Sequence, residues 1–371
     1  MLKKSIYFLS VLLMAACQSQ NPKELTKENP EKVLEEAAEE HLLEGEHHLQ
    51  NIRMLTNGGD NAEAYWSFDD QLLVFQAKYD KWGAACDQIY YFNPDTDDLI
   101  NQQPKLLSTG KGRTTCSYFL PGNEQIVYAS THLANDNCPP EPERRDDGKY
   151  VWPIYDSFDI FSADLEGNIV KQLTNEKGYD AEATVSPDGQ KIVFTSMRSG
   201  DLELYTMNID GSNILQVTNE LGYDGGAFFS PDSKQLIFRA SRPQTEEEIT
   251  VYKDLLAEGL VQPTQMELFI CNVDGTELRQ ITQLGKANWA PFFHPSGEKV
   301  IFSSNHKSER GFPFNLFMID VDGGNLEQIT FDKEFDSFPM FSFDGTKLVF
   351  SSNRNNGGDR STNLFLADWV E

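Results

Sequence analysis

Basic residues are scarce in this chain: 31 Lys and Arg stand against 58 Asp and Glu in 371 residues, a formal net charge of -27. That balance argues against nucleic acid and anionic membrane surfaces as partners, because both demand clustered positive charge. Histidine is also rare. Of six, His41, His47 and His48 precede the repeats described below, leaving His132, His294 and His306. There is no Gly-x-Ser-x-Gly elbow, no His-Glu-x-x-His pair and no phosphate-binding glycine loop. The commonest hydrolase, metalloprotease and nucleotide signatures are therefore missing, and binding rather than catalysis is the expectation. Beyond the leader, no apolar run reaches the ~20 residues of a membrane-spanning helix.

The leader is the one apolar stretch. Lys3 and Lys4 are followed by an apolar run over 6–14 and then Ala15-Ala16-Cys17, which reads as a bacterial lipoprotein signal over 1–16. It resembles the lipobox class of sorting signals, and that resemblance implies a lipid anchor on Cys17; an ordinary cleaved secretory peptide is the alternative. The mature chain is then anchored to a membrane without crossing it. Losing two lysines and no acid with the leader takes the charge from -27 to -29. Residues 17–48 are polar and Glu-rich, an acidic tether with a short helix over 31–43. Gln18 lacks the aspartate of inner-membrane retention, which points to the outer membrane facing the periplasm.

What the chain has in abundance is repetition. The clearest copy runs Gln172-Leu173-Thr174, Tyr179-Asp180, Ser186-Pro187-Asp188-Gly189, Ile192-Val193-Phe194, Leu204-Tyr205 and Asp210-Gly211, after which Gln216-Val217-Thr218 restarts the cycle. Ser67-Phe68-Asp69-Asp70, Pro121-Gly122, Ser230-Pro231-Asp232, His294-Pro295-Ser296-Gly297 and Ser342-Phe343-Asp344-Gly345 occupy the same turn slot. The slots lie 53, 66, 44, 64 and 48 residues apart. Each unit reads as four strands, with Pro-Asp-Gly closing the first pair and Asp-Gly the third and fourth. Six such units make an all-β, six-bladed β-propeller over 49–371. The last unit stops after its third strand, and an orphan stretch over 50–56 supplies the fourth, so the two chain ends seal the ring and remove exposed edges.

The excess spacings all fall in second-to-third-strand links, at 77–86, 131–155, 242–265, 306–313 and 354–362. One face of the ring is therefore decorated and the other plain, and loops on a rigid scaffold are where binding residues gather. In the insertion of the fourth unit, Thr245 followed by three glutamates and then Ile249, Tyr252, Leu255 and Leu256 predicts a capped helix whose apolar stripe packs on the ring or meets a partner. At the start of each inner strand stand Asn61, Arg113, Asp180, Asp224, Asn288 and Asp336, with Glu63 and Glu182 two positions further on. These either ring the central mouth, where oxygen donors suit calcium or another divalent cation, or cap strand ends and bridge blades. Arg198, Arg242 and Arg354 recur after second strands and suggest interblade ion pairs. Trp66, Trp82, Trp152 and Trp289 either line a sugar or peptide surface or pack within blades.

Cys86, Cys116 and Cys138 fall on the decorated side in the first two units, and Cys271 in a third strand. Export favours a disulfide, and Cys86 with either Cys116 or Cys138 is feasible. His132, Asp136 and Cys138 also form a conceivable metal site, although their spacing matches no zinc finger or ribbon.

The succession Ser-Pro-Asp-Gly, Ile-Val-Phe-x-Ser, Leu-Tyr-x-Met-Asn and Gln-Leu-Thr resembles the TolB-like (WD40-like, PD40) β-propeller repeat family over about 50–371. The third to sixth units carry it, and the first two are degenerate. The family's namesake has an α/β domain ahead of its ring, where this chain has some thirty tether residues, so the resemblance implies a scaffold rather than that protein itself. It implies a bacterial envelope location and a protein or peptide partner. Similar rings in oligogalacturonate lyases imply the rival, a metal-dependent carbohydrate-active or carbohydrate-binding propeller, for which His132, Asp180, Asp224 and Asp336 are the residues to test.

Overall fold

The computed structural model describes residues 41–309, 311–356 and 358–371. The leader, Cys17 and most of the 17–48 tether lie outside the described residues. The remainder is a ring of six four-stranded antiparallel sheets. Their inner strands are Asp60–Trp66, Thr114–Phe119, Asp180–Val185, Asp224–Phe229, Asn288–Phe293 and Asp336–Phe341, which define blades 1 to 6. The sixth blade takes Leu49–Met54 as its outer strand, paired with Asn363–Trp369, so the orphan stretch closes the ring as its sequence predicts.

The repeat signatures follow from hydrogen bonds that every blade must make. In Gln-Leu-Thr, the threonine hydroxyl accepts from the backbone N–H of the second residue of the third strand: Thr174 from Ile160, Thr218 from Leu204, Thr282 from Leu268 and Thr330 from Leu316. Ser108 does this for Ile89 in blade 1, and Thr56 for Leu364 in blade 6. In the turn slot, the serine hydroxyl accepts from the N–H groups that follow the turn, as Ser186 does from Gln190 and Lys191. The fourth slot position has positive φ, and glycine fills it in three blades. Where it is Asp70, Asn123 or Ser233, the side chain reaches the preceding blade and accepts from the N–H of Phe343, Phe68 or Asp188. Gly189 instead abuts Pro121 of the preceding blade, where a Cβ would lie 2.5 Å from the proline ring.

The recurrent arginines pair within their own blades and not between blades. Arg198 binds both oxygens of Asp180, Arg242 binds both of Asp224, and Arg354 binds Asp336. Each arginine leaves the second strand where the first begins, so its nearest carboxylate is in the same sheet. Arg354 also holds Glu46, ahead of the ring, through two 3.0 Å bonds.

All long insertions rise from one face. Glu246–Ala257 in the blade 4 insertion is the predicted helix, α1, with Thr245 and Glu248 forming a reciprocal capping box and Tyr252 and Leu255 buried. Its apolar stripe thus packs inward. Beyond α1, Leu260–Val261 pairs with Trp152–Pro153 of the blade 2 insertion, an additional two-stranded sheet over the ring. Among the described residues no helix is long and apolar enough to cross a membrane.

Candidate functional site

Every inner strand carries a bulge at one position. The pairing slips between Ala62 and Tyr65, Thr115 and Ser117, Ala181 and Thr184, Gly225 and Phe228, Trp289 and Phe292, and Ser337 and Met340. Within each slip one residue is left-handed: Glu63, Cys116, Glu182, Gly226, Ala290 and Phe338, with φ between 42° and 59°. Five of the six are not glycine, so the conformation is imposed by the fold at some cost. A bulge re-aims a side chain, and these six positions form one layer across the ring.

The next inward layer, two residues on, closes the channel. Tyr65 of blade 1 meets Phe228 of blade 4, directly opposite, with ring centroids 5.4 Å apart. Tyr118 lies 5.7 Å from Tyr65, and Phe292 lies 5.2 Å from Phe228. Phe68 and Phe343 stack at 5.2 Å at the plain face. Side chains from opposite blades in contact leave no passage. Above these contacts lies a cavity of 740 Å³ whose lining includes exposed residues of the decorated side, and the ring contacts beneath it make it blind towards the plain face.

Its walls are mixed. Glu63, Gln76, Thr115, Cys116 and Glu182 come from blades 1 to 3 together with Tyr65, Phe158 and Tyr179, Arg239 and Tyr223 come from blade 4, and blades 5 and 6 contribute the apolar Trp289, Ala290, Phe314, Phe335 and Phe338. The small sheet formed by the two insertions covers part of it, with Trp152 packed 5.1 Å from Trp289. Phe312 and Tyr150, 62% and 57% exposed, line the open side.

Glu182 is fully occupied. Its Oε1 accepts from Tyr223 Oη and Arg239 Nη2, both at 2.6 Å, and its Oε2 from Thr195 Oγ1 and the Gly226 N–H. Burial works to raise its pKa, but the Arg239 charge and these hydrogen bonds outweigh burial and hold it below the usual range. Arg239 enters the channel because blade 4 has glycine in the left-handed position: a Cβ on Gly226 would stand 1.7 Å from Arg239 Nη1. The guanidinium also stacks on Trp152 and Tyr223.

Glu63 is the opposite case. Its Oε2 is buried and has no hydrogen-bond partner. Burial pushes its carboxyl up to about 7, the Glu182 charge adds to that, and the neighbouring Cys116 thiol opposes it with a hydrogen bond.

Of the eight polar residues expected at the mouth, only Glu63, Glu182 and Arg113 line the cavity. Asn61, Asp180, Asp224, Asn288 and Asp336 begin the inner strands, buried against neighbouring chain. The three aspartates are engaged by arginine, Asn61 donates to Thr362 O of blade 6, and Asn288 donates to Met266 O of blade 4. In blade 2 the equivalent residue is Thr114, which pairs with Ser130 as Asp180 pairs with Ser196. Arg113 lies one residue earlier and pairs with Glu141 of the insertion at 2.6 Å.

Cys86 is bonded to Cys138, while Cys116 and Cys271 are free and buried. The sulfur of Cys138 is thus committed, which removes it from the expected His132, Asp136 and Cys138 metal site. His132 binds Ser130 Oγ and packs on Phe161, and Asp136 pairs with Lys111. His294 also has a structural place, between Ser296, Phe341 and Trp369 on the plain side. Among the described residues no group of three or more His, Cys, Asp or Glu is placed to hold a metal.

Residues 153–262, from the blade 2 insertion to the blade 4 insertion, match the model of the TolB beta propeller domain family. Among solved structures, a putative TolB from Agrobacterium tumefaciens is 19% identical over 84% of this chain and 91% of its own, with a TM-score of 0.54. TolB from Acinetobacter baumannii is 18% identical over 84% of this chain and 64% of its own, at 0.49. An oligogalacturonate lyase from Vibrio parahaemolyticus is 14% identical over 88% and 95%, also at 0.49. Six blades closed into one ring, with residues 153–262 matching the TolB beta propeller domain, give this chain a six-bladed propeller fold similar to that of the putative TolB.

Proposed function

We propose that this chain is a lipid-anchored scaffold of the bacterial cell envelope that binds a protein or peptide through the blind cavity on its decorated face. The cavity carries the proposal: it is walled by aromatic side chains, roofed in part by two insertions and closed below, a shape that receives one end of a ligand or a side chain projecting from it. The TolB-like fold and the expected lipobox at Cys17 support the envelope setting and the anchor, and the acidic surface suits a soluble partner rather than nucleic acid.

The rival, a metal-dependent lyase or sugar-binding propeller, needs oxygen and imidazole ligands that converge. Asp180, Asp224 and Asp336 are instead each held by an arginine, and His132 lies off the cavity wall. That arrangement favours binding. The full chain, displayed against a randomised peptide library, is expected to enrich a definable set of sequences, and Trp289→Ala should abolish the enrichment. Enrichment indifferent to Trp289→Ala, or none at all, would count against the cavity as the binding site.

A further inference from the structure

Glu182 and Glu63 occupy the same ring position in blades 3 and 1, but only Glu182 is satisfied by the protein. Four donors and the Arg239 charge leave it nothing to offer a ligand. Glu63 Oε2 is buried without a partner, and a thiol, a weak donor, is what stands beside the carboxylate. A buried acceptor left without a donor is costly and needs an explanation. Here the natural donor is one that comes from outside the chain, because Glu63 lines the cavity.

The remaining wall narrows the donor's chemistry. Trp289, Phe314, Phe335 and Phe338 of blades 5 and 6 make one flank of the cavity apolar and aromatic, a surface that attracts cations, and Arg239 of blade 4 has its charge engaged by Glu182. A calcium ion takes six to eight oxygen ligands, whereas Glu182 is saturated and the groups nearest Glu63 include a thiol and aromatic rings. An organic cation asks for one carboxylate and an apolar surface. The channel floor is shut by Tyr65 and Phe228 in contact, so such a group must be presented at an end or on a side chain.

We propose that the cavity recognises a protonated primary amine carried on an apolar or aromatic group, the amino terminus of a peptide or a lysine side chain, with Glu63 as its counter-ion. This rests on the peptide-binding reading of the cavity and specifies what the peptide presents there.

Binding to the full chain is read by tryptophan fluorescence, since Trp152 and Trp289 lie in the wall. The probes are phenethylamine, its N-acetyl derivative and 3-phenylpropionate. The amine is expected to bind at least ~10-fold more tightly than the acetylated compound, the scale of one charge-assisted hydrogen bond. Glu63→Gln should erase that preference and leave the acetylated compound unchanged. Thermal melts of the variant, and competition between phenethylamine and library-derived peptides on the unmodified protein, keep the test independent of any folding defect. Loss of peptide binding on acetylating the terminus assigns the terminus, and loss only on acetylating lysine assigns the side chain.

Peptides that bind regardless of either modification and of Glu63→Gln would overturn the amine inference and leave the peptide-binding reading intact. Equal binding of all three probes, or a Glu63-dependent thermal shift with calcium chloride alone, would also overturn it. Failure of every peptide to bind would instead sink the reading beneath it.

Discussion

Glu63 and Glu182 show how the same residue at the same ring position acquires two characters from its neighbours. Glu63 has its carboxyl raised from 4.5 to about 7 by burial, with Glu182 and Asp87 adding to the shift and Cys116 and Arg239 opposing it. A carboxyl raised in the folded state contributes stability that is present below the unfolded value and lost as pH rises through the folded one. Glu63→Gln has no proton to lose, so its stability relative to the parent protein should increase between pH 5 and pH 8, by roughly 1–3 kcal/mol. Paired thermal melts across that range would show it; a difference that stays flat with pH would contradict the burial of an unpaired carboxyl. The Glu182 side of the cavity depends on an absence of atoms. Gly226→Ala forces Arg239 out, which separates a buried ion pair and should cost ~3–5 kcal/mol in urea unfolding. The double variant Glu182→Gln with Arg239→Met should lose less than either single change, because no charge is left stranded.

At the scale of elements, the insertions do the work that the blades cannot. The Cys86–Cys138 bond ties the blade 2 insertion to blade 1 across 52 residues, and Arg113 and Lys78 hold the same insertion through Glu141. Reduction, or Cys86→Ser with Cys138→Ser, should lower stability by roughly 2–4 kcal/mol and make the 139–150 segment the first to be cut by protease. Cleavage elsewhere first would mean that the disulfide does not hold the roof. The segment ahead of the ring is fixed by Arg354, which is 2% exposed and bridges Glu46 to Asp336. Arg354→Met leaves two buried carboxylates uncompensated and is expected to cost ~3–5 kcal/mol and to free that segment for proteolysis.

Over the whole molecule, the ring was legible in the sequence because most blades solve the same backbone problem with the same residues: a threonine hydroxyl near one strand start in five blades and a serine hydroxyl in one turn in four. Even its closure could be read, since residues 50–56 have no other sheet to join. The cavity was less legible. The bulge breaks the alternation by which strand residues are assigned to faces, so the aspartates at strand starts looked like channel residues, and Cys116, Ala290 and Phe338 gave no sign of sharing a layer with Glu63. Blade 2 has Leu120 where four blades have serine and blade 5 has His294, which put Arg113 in place of Thr114. The roof joins two-residue strands more than 100 residues apart, too short for any period to register. The repeated left-handed position is the signal that would have found the layer, and it is a property of backbone rather than of residue type.

The central claim, that ligands enter one blind cavity from the decorated face, is tested most directly by site-specific crosslinking. A photoreactive phenylalanine analogue at position 312 should capture the library-selected peptide, the capture should be competed away by the free peptide, and the same analogue at position 232 on the plain face should capture none. Equal capture at 232, or capture there alone, would contradict the account.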